Sequence, residues 1–344
     1  MPSALIIGGT GLIGRAVARR LVAAGWHVTV TGRDPRRMPE DLADAGVRQV
    51  LADRDDPAAL AQAAGGGCDL LVDCICYTGA QARLVLPLIR NAGSAVMISS
   101  KAVYVDDAGN HSNSMTTPRF PGPVTEQQPT MKPDDGPYNT AQGYGANKVA
   151  AEQVLLDSGL PVTVLRPSKV HGQAAAPPRE WYFVKRVLDR RPMVLLAGQG
   201  RGADHTTAAV NIAALVHVVA ERPGRRILNA ADPDTPNGLA ISRVIAAVTG
   251  HTWDEVLLDN DAPAHLGRHP WHYRPPIVLD TGAALALGYE PVGDYATTVA
   301  DTISWLLAES ARRSSWTPPG VNEELAGRWF DYAAEDAWML NGPL

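Results

Sequence analysis

The sequence predicts an α/β protein with a doubly wound parallel sheet. Short apolar segments alternate with helical segments through the first half of the chain, and such βαβ alternation makes neighbouring strands parallel. The first apolar segment, residues 4–7, ends at a glycine-rich turn, and residues 15–24 carry apolar side chains on one helical face. Together these two observations indicate a strand, a tight turn and a helix at the start of the sheet.

The glycine-rich turn has the pattern of a dinucleotide-binding site. Gly8 permits a tight turn, Gly11 lets backbone N–H groups approach a pyrophosphate, and Gly14 lets the helix pack closely on the strand. The N-terminus of that helix also favours negative charge. The predicted cofactor contacts in this turn are Gly8, Thr10, Gly11, Leu12, Ile13 and Gly14. An ordinary glycine-rich turn is the alternative.

The end of the second predicted strand favours NADP over NAD. After residues 28–31 an NAD-specific protein places an acidic residue on the ribose, whereas here Arg33 occupies that position. A guanidinium can pair with a 2′-phosphate, and Arg36 and Arg37 add positive charge nearby. A solvated basic loop is the alternative, and Asp34 could still bind a ribose.

Asp53 is a candidate contact for the adenine of the cofactor. It ends the third predicted strand, residues 50–53, where its carboxylate could accept a hydrogen bond from the adenine amino group. It could equally cap the helix that begins near Pro57. Both interpretations are open.

The next two strands lead towards the expected chemistry. They are predicted over residues 70–76 and 94–100, with a helix over residues 81–91 between them. Ligands of doubly wound sheets bind beyond the carboxyl ends of the strands. This rule places Tyr77 and Ser100 at the edge of the sheet where a reaction would occur.

Four motifs follow one another in a characteristic order. They are Gly8-x-x-Gly11-x-x-Gly14, Ser-Ser-Lys-Ala-Val-Tyr at residues 99–104, Tyr144-x-x-x-Lys148, and Leu-Arg-Pro-Ser-Lys-Val-His-Gly at residues 165–172. This order resembles the extended short-chain dehydrogenase/reductase superfamily, which includes the NAD-dependent epimerases and dehydratases, over nearly the whole chain. The resemblance implies a Rossmann-type doubly wound sheet with a smaller C-terminal substrate lobe. It assigns residues 1–165 to an NAD(P)-binding Rossmann domain and residues 166–344 mainly to the substrate lobe, with some segments returning to the first domain.

The resemblance also implies a catalytic set. Ser100 lies four residues before Tyr104, the position of the active serine or threonine in the superfamily. Tyr144 would exchange a proton with a substrate hydroxyl or carbonyl, and Ser100 would hydrogen-bond the same oxygen. Lys148, one helical turn after Tyr144, would stabilise the phenolate by its charge and bind the nicotinamide ribose.

Further contacts are implied residue by residue. The resemblance adds Tyr77, Lys148 and Pro167 to the cofactor contacts. It gives Lys101, Lys169, His171 and Arg201 as substrate contacts. Arg201 lies in a glycine-rich loop placed like the region that binds nucleotide phosphates in sugar-modifying relatives.

The expected activity is hydride transfer at a secondary alcohol or ketone of a sugar-like or nucleotide-linked small molecule, by an NAD(P)-dependent oxidoreductase or epimerase. Lys101 and Ala102 follow Ser100 where 4,6-dehydratases have Asp-Glu, which argues against a dehydratase. A stand-alone NADPH-dependent ketone or aldehyde reductase is an alternative, and a non-catalytic NADP-binding regulator is a second one.

Two further segments are distinctive. Residues 106–137, between Ser100 and Tyr144, are rich in proline and predict a long loop, either a lid over the substrate or a disordered excursion. Residues 323–340 carry many aromatic side chains, which must pack on the substrate lobe or across a subunit interface. The superfamily often dimerises through the helix that here contains Tyr144, so a homodimer is expected.

The composition favours a cytoplasmic enzyme with a small-molecule substrate. A formal charge of −5 gives no broad basic surface, so no nucleic-acid partner is expected. No apolar stretch approaches the roughly 20 residues that span a bilayer. The three cysteines are interpreted as thiols, and His265, His269 and His272 lack a convincing further ligand, so no metal site is predicted.

Overall fold

The computed structural model describes residues 1–259, 262–263, 265–313 and 315–341. The chain divides into two compact units. Unit 1 comprises Met1–Ser168, Ala209–Ala231 and Leu279–Val292. Unit 2 comprises Lys169–Ala208, Asp232–Val278 and the described part of Gly293–Leu344. The sequence placed the boundary between its two domains at residue 165.

The strands pair in parallel within each unit. In chain order they are β1 (Ser3–Ile7), β2 (His27–Gly32), β3 (Arg48–Leu51), β4 (Cys68–Asp73), β5 (Ala92–Ile98), β6 (Val162–Pro167), β7 (Lys169–His171), β8 (Met193–Leu196), β9 (Thr206–Ala208), β10 (Arg226–Ala230) and β11 (Asp254–Leu257). Unit 2 contains the short pairs β7–β9 and β8–β11.

Helices connect most of these strands. They are α1 (Leu12–Ala23), α2 (Glu40–Asp44), α3 (Pro57–Ala64), α4 (Gly79–Ile89), α5 (Ala141–Asp157), α6 (Trp181–Leu188), α7 (Ala209–Glu221), α8 (Gly238–Thr249), α9 (Gly282–Ala286), α10 (Tyr295–Arg312), α11 (Glu323–Trp329) and α12 (Tyr332–Asn341). None of the helices in the described residues combines the length and apolarity needed to cross a membrane.

The described part of unit 1 contains a seven-stranded parallel sheet with the order β10-β6-β5-β4-β1-β2-β3. The chain runs from β1 outward to β2 and β3, and then returns to place β4 on the other side of β1. The predicted doubly wound parallel sheet is therefore confirmed. Its topological switch point lies between β1 and β4, where such sheets bind their ligands.

The core of unit 1 explains why the first half of the sequence reads as apolar strands and one-sided helices. Leu5, Leu71 and Met97 from adjacent strands are at most 2% exposed, and Val85 of α4 and Leu155 of α5 are fully buried with them. Burying such side chains is the main stabilising contribution to a sheet covered by helices.

Two strands end earlier than the sequence predicts. The strands are predicted over residues 70–76 and 94–100, but β4 ends at Asp73 and β5 ends at Ile98. Asp73 Oδ1 accepts a hydrogen bond of 3.1 Å from the Ile75 N–H and turns the chain away from the ladder. The following residues therefore form a loop at the edge of the sheet.

The proline-rich segment 106–137 is a loop, as predicted, and it packs on unit 1. Tyr104 and Thr130 form an isolated antiparallel bridge, and the Met131 N–H donates to the Val103 carbonyl at 2.8 Å. Val124 and Met131 belong to a buried apolar cluster. Because of these contacts the segment is a packed loop, and the alternative of a disordered excursion is wrong.

The aromatic tail packs on unit 2. Trp329 is 8% exposed in a cluster with Trp181 and Tyr182 of α6. Arg186 of α6 forms an ion pair of 2.5 Å with Glu335 of α12, and both side chains are buried. Trp329 is thus buried within the single chain, as predicted, whereas Phe330, Tyr332 and Trp338 are half-buried and Met339 is exposed.

Candidate active site

The glycine turn after β1 leaves backbone donors available for an anion. Gly8 has a positive φ of 78°, and its carbonyl accepts the Gly11 N–H at 3.1 Å. A Cβ on Gly14 would lie 2.5 Å from the Gly8 carbonyl oxygen, so only glycine permits this approach of α1 to the turn. Gly11 precedes α1 without a side-chain cap, which leaves the first N–H groups of the helix unsatisfied by a cap. Leu12 and Ile13 open the helix and are half-buried.

A cavity of about 490 Å³ extends from this turn along the carboxyl ends of the strands of unit 1. It is lined by Gly8, Thr10, Gly11, Thr31, Gly32, Arg33, Asp34, Arg37, Ala52, Asp53, Arg54, Asp55, Ile75, Tyr77, Gln81 and Tyr138. The structure thus brings six predicted cofactor residues to one cavity, namely Gly8, Thr10, Gly11, Arg33, Asp53 and Tyr77.

The three arginines after β2 differ in their partners. Arg36 forms an ion pair of 3.0 Å with Asp34, which also caps the following turn by accepting the Arg36 N–H. The side-chain hydrogen bond from Arg36 holds the pKa of Asp34 below its usual range. Arg33 and Arg37 line the cavity, and neither side chain has a hydrogen-bond or ion-pair partner among the described residues. Two guanidinium groups are therefore available to an anion.

Asp53 lies two residues beyond β3, and it is exposed at the cavity. The helix α3 is capped by Asp56, whose carboxylate accepts the N–H groups of Ala58 and Ala59. The alternative that Asp53 caps this helix is therefore wrong. Among the described residues, the Asp53 carboxylate accepts a hydrogen bond only from the Asp55 N–H, at 3.0 Å.

Arg54 is a cavity residue that sequence reasoning missed. Its guanidinium forms an ion pair of 2.6 Å with Asp73, and the two side chains are 6% and 2% exposed. It also donates to the carbonyls of Ile75 and Gln81, at 3.3 and 3.0 Å. Because its partners come from β4, the loop that follows it and α4, no local sequence pattern predicts this role.

Lys148 is buried in the centre of unit 1. Its ammonium donates to the carbonyls of Cys76 and Ile98, at 2.7 and 2.8 Å, which lie after β4 and at the end of β5. The same group lies 4.5 Å from the centre of the Tyr77 ring. Burial raises the pKa of the Tyr77 phenol to about 12, with a further contribution from Tyr144. Lys148 thus contacts the chain just after β4, the end of β5 and Tyr77 at the edge of the cavity.

Tyr144 lies on α5, the helix of Lys148, and Ser100 lies just after β5. Both side chains are half-buried. The Tyr144 hydroxyl has no hydrogen-bond partner among the described residues, and its ring centre is 6.3 Å from that of Tyr77. Ser100 Oγ accepts the Ala102 N–H at 3.2 Å, which leaves the hydroxyl proton available. A Cβ on Gly145 would lie 2.5 Å from the Ala102 carbonyl oxygen, so α5 approaches the segment after Ser100 as closely as its backbone allows.

A buried polar network supports the same helix. Ser99 donates to Glu152 of α5, and Glu152 pairs with Arg166 of β6 at 2.5 Å. The Arg166 guanidinium also lies 4.8 Å from the centre of the Tyr104 ring. Sequence reasoning missed this network, although Glu152 stands one helical turn after Lys148, which is a detectable signal.

The remaining predicted residues lie in several environments. Lys101 begins the turn after Ser100 and is buried, and Pro167 is the buried last residue of β6. In unit 2, Lys169 forms an ion pair of 3.1 Å with Asp204, and Arg201 is exposed. His171 is 2% exposed, and its Nε2 lies 3.1 Å from Asp232. Contacts of these residues with substrate stay predictions.

Comparison with known proteins gives related sequences. Residues 4–231 match the model of the NAD dependent epimerase/dehydratase family. The chain is similar to the 2-alkyl-3-oxoalkanoate reductase of Stenotrophomonas maltophilia (strain K279a), with 29% identity over 225 residues, 63% of this chain and 64% of that protein. It is also similar to the 2'-dehydrokanamycin reductase of Streptomyces kanamyceticus, with 32% identity over 154 residues, 44% of this chain and 37% of that protein. The chain thus spans less than two thirds of the length of either relative.

Solved structures share the fold. The UDP-glucose-4-epimerase of Stenotrophomonas maltophila, determined with bound NAD and formylated UDP-arabinopyranose, has a TM-score of 0.69 at 20% identity, covering 91% of this chain and 100% of that chain. At this identity the likeness shows the fold alone. The family model covers more than half of the chain and includes the glycine turn, the parallel sheet and the Tyr144-x-x-x-Lys148 motif. The chain therefore belongs to the NAD dependent epimerase/dehydratase family.

Proposed function

We propose that the protein is an NADP-preferring oxidoreductase that transfers hydride at a ketone or secondary alcohol of a small molecule. The observation that carries this proposal is the continuous cavity in unit 1. It runs from Arg33 and Arg37, past the glycine turn, to Tyr77, whose ring lies near the Lys148 ammonium. A dinucleotide needs hydrogen-bond donors for its phosphates at one part of the cavity and an acid/base group near its nicotinamide at another.

The residues present fit such a cofactor. The close approach of Gly14 to the turn and the uncapped N-terminus of α1 provide backbone donors for a pyrophosphate. Arg33 and Arg37 can pair with a 2′-phosphate, because Arg36 alone engages Asp34. When bound, the nicotinamide would supply or accept the hydride.

The chain's own residues would move the proton. Tyr144 would donate its hydroxyl proton to a substrate carbonyl oxygen, or accept one from an alcohol. Ser100 would donate a hydrogen bond to the same oxygen, because its Oγ accepts from Ala102 and keeps its own proton. Lys148, fixed by two backbone carbonyls, would place a positive charge near the phenolate of Tyr144.

Net reduction is the direction we favour over epimerisation. Both curated relatives carry the names of reductases, one of a 2-alkyl-3-oxoalkanoate and one of 2'-dehydrokanamycin. A sugar-like or nucleotide-linked ketone remains the substrate class that the resemblance implies. We also propose that the enzyme is a homodimer, which light scattering of the purified protein tests. We propose that it works in the cytoplasm.

The reaction is tested by oxidation of NADPH in the presence of a panel of ketones, with Tyr144→Phe as the key variant. We expect this variant to lose about 10²–10⁴-fold in kcat, the usual contribution of a general acid, while it binds NADPH normally. Tightly retained oxidised cofactor without net turnover would favour an epimerase. Binding of NADPH without turnover of any ketone or sugar would favour the regulator.

The cofactor preference is tested by a set of arginine variants. Arg33→Ala and Arg37→Ala should each weaken NADPH binding by about tenfold or more while they leave NADH binding unchanged, because each removes a charged partner of the 2′-phosphate. Arg36→Ala is the matched control, since its guanidinium is engaged by Asp34. An equal loss in all three variants would contradict the assignment.

A further inference from the structure

Tyr77 is fixed at the edge of the cavity by its neighbours. Its backbone N–H donates to Gln81 Oε1 at 2.8 Å, and the preceding carbonyl, of Cys76, accepts from Lys148 at 2.7 Å. One part of its ring faces the Lys148 ammonium, 4.5 Å from the ring centre. The ring is therefore held in place by both its backbone and its cation contact.

Tyr138 covers this ring from the segment before α5. The two rings are parallel within 7°, with their centres 5.2 Å apart, and Tyr138 is 41% exposed. The segment is anchored, because the Gly136 carbonyl accepts from Asn147 Nδ2 at 3.0 Å. A large aromatic side chain is thus held at the cavity while much of its surface stays exposed to solvent.

The position of the pair within the cavity indicates which part of a dinucleotide it would meet. Arg33 follows β2 and Tyr77 follows β4, and β1 lies between these strands in the sheet. Arg33 and Tyr77 therefore lie towards opposite ends of the cavity. A dinucleotide with its 2′-phosphate at Arg33 would bring its ribose and nicotinamide half to Tyr77 and Tyr138.

We propose that Tyr138 and Tyr77 form an aromatic clamp on the nicotinamide half of the bound dinucleotide, and that Tyr138 controls its dissociation. The inference rests on the proposed function and extends it to a residue of the 137–140 segment. Because Tyr77 already stacks on Tyr138 and lies beside the Lys148 ammonium, the ribose and nicotinamide pack on the exposed surface of Tyr138 and on the edge of Tyr77. This contact excludes water from the edge of the cavity near Lys148.

The clamp is tested by measuring NADPH dissociation with stopped-flow fluorescence. Tyr138→Ala should raise the dissociation rate by about tenfold, whereas Tyr138→Phe, which keeps the ring, should restore most of the residence time. Asn139→Ala is the matched control, because Asn139 is an exposed neighbour that does not line the cavity. The affinity for 2′,5′-ADP, a probe of the Arg33 end, should be the same in all of these proteins.

Measurements with 2′,5′-ADP distinguish failure of the clamp from failure of the proposed cofactor site. If wild type binds NADPH and 2′,5′-ADP but Tyr138→Ala dissociates at the wild-type rate, the clamp alone is overturned. An equal loss of affinity for both probes would also overturn it, because the substitution would then act on the whole cavity. If wild type binds neither probe, the proposed function fails together with the clamp.

Discussion

The buried ion pair of Arg54 and Asp73 couples the cavity to the end of β4. Burial raises the pKa of Asp73, and the charges of Arg54 and Lys148 act in the opposite direction. Asp73 in turn accepts the Ile75 N–H that starts the loop towards Tyr77. Removal of one partner leaves an uncompensated buried charge, which costs much more than an exposed ion pair contributes.

We expect Arg54→Met to lower the free energy of unfolding by about 3–5 kcal/mol at neutral pH, as measured by urea denaturation. The loss of Arg54 raises the pKa of Asp73 further in the folded state. The folded state then binds a proton more readily than the unfolded state, so stability falls as pH rises through the ordinary carboxyl range towards the raised pKa. The difference in free energy of unfolding between Arg54→Met and wild type should therefore become smaller at acidic pH.

The double variant Arg54→Met/Asp73→Asn provides the control. It removes both charges, so it should recover most of the stability and show little of the pH dependence. A deficit in Arg54→Met that is constant with pH would indicate a packing loss instead of an unpaired carboxylate.

At the scale of the element, α5 carries most of the candidate chemistry. Thr140 caps this helix by accepting the Gly143 N–H at 2.9 Å. The buried face of α5 contains Lys148 and Glu152. Two separate contacts set its position, the polar network from Glu152 to Arg166 and the close approach of Gly145 to Ala102. The distance between Tyr144 and the segment of Ser100 depends on both.

Gly145→Ala should displace α5 from the segment after Ser100. The new Cβ would lie 2.5 Å from both the Ala102 carbonyl oxygen and Met131 Sδ. We expect overpacking to cost about 1–3 kcal/mol, more than the roughly 1 kcal/mol that alanine gains over glycine in a helix. Calorimetry should show the loss, and kcat should fall more than NADPH affinity.

Gly122→Ala is the control for this substitution, because a Cβ at Gly122 meets nothing within 4 Å. It should leave melting temperature and kcat close to wild type. A Gly145→Ala protein with unchanged stability and turnover would show that the helix tolerates a wider separation.

The C-terminal helix α12 is attached to unit 2 by charge as well as by aromatic packing. Glu335→Gln leaves the buried Arg186 guanidinium without its counter-charge, so we expect a loss of about 3–5 kcal/mol of stability by denaturant titration. Glu324→Gln, in the exposed pair with Arg328, should cost less than about 1 kcal/mol. Equal effects of the two substitutions would contradict a stabilising role for the buried pair.

At the scale of the whole molecule, the topology of unit 1 determines where a cofactor would bind. The glycine turn follows β1, Arg33 follows β2, and Tyr77 follows β4, so all three occur at carboxyl ends of adjacent strands. Residues far apart in the chain therefore share one cavity. This arrangement follows from the reversal of strand order between β1 and β4.

We expect NADP at a hundred times its Kd to stabilise the binding unit by about 2.7 kcal/mol. Amide hydrogen exchange followed by mass spectrometry should show slower exchange in the peptides of the glycine turn, the Arg33 loop and the loop of Tyr77. NAD at the same concentration should protect these peptides less. Protection confined to peptides of unit 2 would contradict the placement of the cofactor.

Much of the fold could be predicted from the sequence because its signals are local. The strand, turn and helix around Gly8, and the alternation that makes the sheet parallel, each depend on residues close together in the chain. The ends of β4 and β5 were placed two to three residues too late. Past Asp73 the apolar residues 74–76 continue after pairing has stopped, and past Ile98 two small serines give no signal that ends a strand. The identity of the Asp56 cap was missed for a related reason, since several carboxylates precede α3 and only one reaches its N–H groups.

The sequence by itself determined the fold class, the family resemblance and the motif residues from Gly8 to Lys148, because these are patterns of residue type and spacing. Only the tertiary structure decided the partners. It paired Arg36 with Asp34 and left Arg33 and Arg37 at the cavity, buried Arg54 against Asp73, and stacked Tyr138 on Tyr77. The latter two contacts join residues from different strands, helices and loops, and the first depends on how one short turn folds. Their geometry is therefore set by packing and burial, which no periodicity in the sequence records.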